Sequence, residues 1–95
     1  MKKENPNYHE SMGVKQLPLE LQMYSREETA RLLGCHIDRI DDFRSIGLLH
    51  PIKTGKRYMF TYLDIQAFQE VYKGMDISNR AKALECYRKV VAHEQ

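Results

Sequence analysis

The run Tyr24-Ser25-Arg26-Glu27-Glu28-Thr29-Ala30-Arg31-Leu32-Leu33-Gly34, continued by Cys35-His36-Ile37-Asp38-Arg39-Ile40-Asp41-Asp42-Phe43-Arg44-Ser45-Ile46-Gly47, decides the fold. Ser25-Arg26-Glu27-Glu28 has the S-x-x-E form of a capping box, in which a serine hydroxyl accepts from a free first-turn amide and a glutamate reaches back. A helix is therefore expected to begin here, with Thr29, Ala30, Leu32 and Leu33 inward and Gly34 ending it in the left-handed conformation. Only Cys35 and His36 separate Gly34 from a second helical period, Ile37, Ile40, Phe43 and Arg44, which Gly47 stops. Two short helices joined by a tight glycine turn make a helix-turn-helix.

Working outward, Ile52-Lys53-Thr54-Gly55-Lys56-Arg57-Tyr58-Met59-Phe60 reads as two short strand-forming pieces flanking a glycine-containing turn and predicts a hairpin. Thr61 with Asp64 then caps a third helix carrying Leu63, Ala67, Phe68, Val71 and Tyr72 to Gly74. A fourth, amphipathic helix is expected from about Ile77 and Ser78, with Ile77, Ala81, Leu84, Tyr87 and Val91 on one face. Upstream, Leu17, Leu19, Leu21 and Met23 alternate as in an extended lead-in, with Pro18 placing it at an edge. The resulting fold class is mostly α with a small β-hairpin wing: a winged helix-turn-helix over 17–74, a polar arm over 1–16 and a C-terminal amphipathic helix over 75–95.

Ninety-five residues suffice for one small core. No stretch reaches the roughly 20 apolar residues of a membrane span, and the N-terminus lacks the apolar run of a secretory signal. Cys35 and Cys86 stand alone, which predicts buried, reduced thiols and a cytoplasmic protein. His9, His36, His50 and His93 are scattered without metal-site spacing, and no phosphate loop or nucleophile motif occurs, so neither metal, cofactor nor enzymatic chemistry is expected. The net charge is only +2, yet three of the five residues 53–57 are cationic with no acid among them.

The 24–34 segment resembles the opening of the DNA-binding domains of MerR-type regulators and of phage and transposon excisionases. Ser45-Ile46-Gly47-Leu48-Leu49-His50-Pro51 resembles the MerR-type closure of the second helix. Gly55 to Phe68 is similar to the excisionase pattern of basic wing, aromatic residue and D-I-x-x-F helix start. The resemblance implies a DNA-binding accessory or regulatory protein: either excisionase-like, bending DNA and recruiting an integrase or recombinase, or a transcriptional regulator working with the transcription machinery.

Within that frame the recognition helix spans about 37–46 and the wing about 52–60. The candidate contacts to double-stranded DNA are His36 and Arg39 at the start of the recognition helix, and Lys53, Lys56, Arg57 and Tyr58 in the wing. Asp38, Asp41 and Asp42 depart from the family pattern. On a helical wheel they point outward, where carboxylates oppose phosphates, read a cytosine amine, or contact a protein. The alternative function is thus a protein-interaction module that keeps the fold and docks its acidic second helix on a basic partner. The heptad-spaced residues of the 77–91 helix leave self-association as a further option.

Overall fold

Ser25 starts the helical part of the molecule as its context requires: its hydroxyl accepts from Glu28 N at 3.1 Å, and Glu28 Oε1 accepts from Ser25 N at 2.8 Å. In the computed structural model, which describes residues 16–93, a single 3-10 turn at Leu19–Leu21 precedes β1 (Met23–Tyr24) and α1 (Arg26–Leu33). There follow α2 (Ile37–Ile46), β2 (Ile52–Lys53), β3 (Tyr58–Thr61), α3 (Tyr62–Tyr72) and α4 (Arg80–His93). The protein is mostly helical, with one small antiparallel sheet in the order β1-β3-β2. The arm expected over 1–16 falls outside the described residues except for Gln16, as do His9 and the last two residues.

Gly34 ends α1 at φ +68°, and the Cys35 amide donates to Ala30 O at 3.0 Å, which satisfies a helix-end carbonyl. His36 caps α2, its Nδ1 accepting from Asp38 N at 3.1 Å. At the other end, Gly47 sits at φ +120°, where a side chain would be strained, and Phe43 O accepts from the amides of Gly47, Leu48 and Leu49. The chain then turns Leu48 and Leu49 inward, at 3% and 1% exposure.

The core forms where α2, β3 and α3 meet: Ile40 and Phe43 meet Phe60, Ile65, Phe68 and Tyr72. Phe68 lies 5.3 Å from both Phe43 and Tyr72 in tilted ring pairs, an arrangement worth about 0.5–1.5 kcal/mol per pair beyond area burial. Ala83 of α4 closes this core from the side of α2.

Several expected positions are corrected. The apolar alternation of Leu17, Leu19 and Leu21 is no strand. Pro18 caps a 3-10 turn closed by Leu21 N to Pro18 O, and the leucines are exposed. The anchor here is Gln22, 6% exposed, whose Nε2 donates to Leu17 O and whose Oε1 accepts from the Tyr24 hydroxyl. Leu32, expected inward, is exposed, because Thr29 and Ala30 already fill the buried side of α1. In α3 the inward stripe is Ile65, Phe68 and Tyr72, while Leu63, Ala67 and Val71 face out. The fourth helix begins at Arg80 rather than near Ile77, since Asn79 Oδ1 accepts from Lys82 N and sets the first turn there. That start turns Ala81 outward and brings in Ala83, with Leu84, Cys86, Tyr87 and Val90 beside it. Both cysteines are free thiols, half-buried rather than buried.

Candidate nucleic-acid interface

With Ile40 and Phe43 pointing into the core, the helical period sends Asp38 and Ser45 directly outward and places Asp41 and Asp42 on opposite flanks of that outward face. The expectation of open carboxylates along the face is corrected by what lies beside them. Arg26, the first residue of α1, forks onto Asp41 with Nε to Oδ1 at 2.8 Å and Nη2 to Oδ2 at 2.9 Å. The hydrogen-bonded guanidinium holds the Asp41 carboxyl below the ordinary carboxylate range, and Asp41 in turn raises Arg26.

On the other flank Asp42 is 18% exposed and takes two guanidiniums: Arg39 Nη2 reaches its Oδ2 at 2.8 Å and Arg80 Nη1 its Oδ1 at 3.0 Å. Arg80 Nη1 also donates to Ser45 Oγ at 3.0 Å, while Ser45 Oγ donates to Asp42 O. Of the three aspartates, Asp38 alone forms no ion pair with an arginine among the described residues; its Oδ2 lies 3.6 Å from Nδ1 of the exposed His36 ring.

The hairpin is tied to the same face. Pairing of Ile52 with Met59 and Lys53 with Tyr58 leaves residues 54–57 as its tip, and Phe60, 1% exposed, fixes its base in the core. Tyr58 and Phe60 share a strand face, but Tyr58 reaches beyond the core and receives Arg44 of α2 at 4.5 Å and Lys53 Nζ at 5.7 Å from its ring centroid. Upstream, Asp64 holds the entry to the hairpin by accepting from His50 N at 2.8 Å. Lys53, Lys56 and Arg57 are exposed, and no ion pair holds them among the described residues.

The predicted contacts therefore divide. Lys53, Lys56, Arg57 and Tyr58 lie together on the hairpin, with Arg44 drawn to them. His36 is spent as a cap through Nδ1, leaving Nε2 outward, and Arg39 leans along the helix onto Asp42. Sequence reasoning missed Arg26 and Arg80. The first lies 15 residues and the second 38 residues from its aspartate, so no local period joins them. Over α2, its flanking arginines and the hairpin, the cations Arg26, Arg39, Arg44, Lys53, Lys56, Arg57 and Arg80 outnumber the acids Glu27, Asp38, Asp41, Asp42 and Asp64.

Beside this face, and sharing His36 and Arg39 with it, a groove of about 750 Å³ opens between Leu33, Cys35, Phe43, Tyr72 and Ile77. Its rim charges are already paired, Arg39 with Asp42, Lys73 with Glu70 and Asp76 with Lys82. Burial pushes the Cys35 thiol up, away from the reactive thiolate, against the smaller pull of Arg39. Among the described residues no cluster of His, Cys, Asp and Glu is placed to hold a metal ion, and no helix is long and apolar enough to cross a membrane. Comparison of the chain with protein families, curated proteins and solved structures returns no match.

Proposed function

We propose that this protein binds double-stranded DNA in the manner of a winged helix-turn-helix, with α2 entering the major groove and the β2–β3 hairpin gripping the adjacent backbone. The observation that carries the reading is electrostatic. Asp41 and Asp42, two of the three acids of α2, are tied off by Arg26, Arg39 and Arg80, which leaves Asp38 as the one without an arginine, while the hairpin cations enter no ion pair among the described residues. A phosphate backbone approaching this side meets a net positive surface, and neutralising phosphates releases counterions, which drives association. The role is that of an accessory or regulatory protein, acting at a recombination site with an integrase or at a promoter, by occupying and bending DNA without chemistry of its own.

A protein-docking role for an acidic α2 draws less support. Asp41 and Asp42 already have arginine partners, which leaves Asp38 to meet a basic surface.

Fluorescence anisotropy with labelled mixed-sequence duplexes over a salt series tests the proposal. Binding is expected to weaken linearly in log salt. Lys56→Ala with Arg57→Ala should weaken it for every sequence and reduce the slope by about 0.9 for each phosphate that is no longer neutralised. An affinity and slope that the double variant leaves unchanged would remove the hairpin from the interface.

A further inference from the structure

Arg26 and Arg80 have a geometry that a mere surface ion pair does not require. They come from the first turns of two different helices, α1 and α4, and reach the two flanks of the outward face of α2. Each is bound in a way that fixes the guanidinium plane yet leaves it unsaturated. Arg26 uses Nε and one N–H of Nη2 on Asp41, and Arg80 uses Nη1 alone, shared between Asp42 and Ser45. A guanidinium has five N–H donors in a rigid fork, so among the described residues three on each arginine have no acceptor. Arg26 and Arg80 side chains are 37% and 57% exposed, so those donors meet solvent.

We propose that Arg26 and Arg80 are backbone clamps, one on each side of the groove that α2 enters, and that Asp41 and Asp42 are positioning residues that hold the two forks ready for phosphate oxygens. This rests on the DNA-binding reading and adds to it two contact residues and a role for the acidic pair. The aspartates do not need to let go. A fork held by a carboxylate on one edge presents its other edge to a phosphate, and an arginine already fixed loses less rotamer freedom on binding. Lysine cannot do this, because its ammonium is a single rotating point charge on a flexible stem.

The test is the salt dependence of duplex binding by the full chain and single variants. Arg26→Ala and Arg80→Ala should each lower the slope of log K against log salt by about 0.9, the change expected for one phosphate contact. Lys89→Ala, which removes the same charge from an exposed site toward the other end of α4, should leave the slope unaltered. Arg26→Lys and Arg80→Lys keep the charge and should still bind less tightly than the parent. Circular dichroism melting, compared with Arg26→Lys, distinguishes a missing phosphate partner from a loosened helix: the clamp predicts a lower slope in variants that remain fully folded at the assay temperature. If the parent binds and the hairpin variant weakens it, but folded Arg26→Ala and Arg80→Ala keep the parental slope, the clamp is wrong and the DNA-binding reading stands. If the parent shows no salt-dependent binding, both fall together.

Discussion

Gly47 and Phe43 show how single residues set the orientation of the face. Gly47 has φ +120°, and a Cβ there would stand 3.1 Å from the ring of Tyr87, so backbone strain coincides with a tight contact that the Tyr87 ring of α4 must relieve by a small shift. Gly47→Ala is expected to cost about 1–3 kcal/mol from the backbone conformation alone, read as a lowered midpoint in urea. Phe43, 3% exposed and stacked on Phe68, should cost about 3–5 kcal/mol when cut to alanine. A Phe43→Ala chain that melts like the parent would mean that α2 is rotated from the orientation described. At this scale the sequence was a good guide wherever the chemistry is local: Ser25 with Glu28, Thr61 with Asp64 and the positive-φ glycines all act within three or four residues of themselves. The distant arginine partners of Asp41 and Asp42 were not legible, unlike Arg39, which lies three residues before Asp42 on the same helix. Arg26 and Arg80 are ordinary surface residues until the chain folds, and only tertiary packing selects which carboxylate each meets.

At the level of elements, the position of α4 depends on the short segment before it. Asp76 accepts from Ser78 Oγ at 2.7 Å and from Ser78 N at 3.1 Å, and Lys82 Nζ of α4 lies 2.9 Å from its other oxygen. The Ser78 hydroxyl first, then Lys82 and the Ser78 amide, hold the Asp76 carboxyl at about 2, against an ordinary value of 3.8. A depressed folded-state pKa means stability that is fully present above the unfolded value and lost as pH falls from about 4 through about 2. The parent is accordingly expected to lose more thermal stability across that window than Asp76→Asn, in melts at stepped pH. Equal losses would show that Asp76 does not anchor α4. The same scale explains the misplaced stripes. In α3, Leu63, Ala67 and Val71 make as regular a period as Ile65, Phe68 and Tyr72, and ring packing against Phe43 chooses the second set. In the 3-10 turn, Pro18 and the buried amide of Gln22 override an alternation of leucines that reads as a strand.

Across the whole molecule, the order of elements was written in glycines, caps and apolar periods, whereas the electrostatic character of its surface was not. A net charge of +2 argues only weakly for a DNA partner, and an acidic second helix argues against one. Folding changes the argument by gathering Arg26, Arg44 and Arg80 from three helices around α2 and setting the hairpin beside them. This one face, and no other, is expected to meet the DNA backbone. Titration of an isotopically labelled chain with a mixed-sequence duplex at low salt, followed by amide and arginine side-chain NMR, tests it most directly. Shifts are expected at Asp38 and Ser45 of α2, at Lys53 through Tyr58, and at the Arg26 and Arg80 side chains. They should fade together as salt is added, while the exposed Glu85–Lys89 side of α4 stays unmoved. No shifts at low salt, or shifts centred on Glu85–Lys89 with residues 53–58 unmoved, would contradict the account.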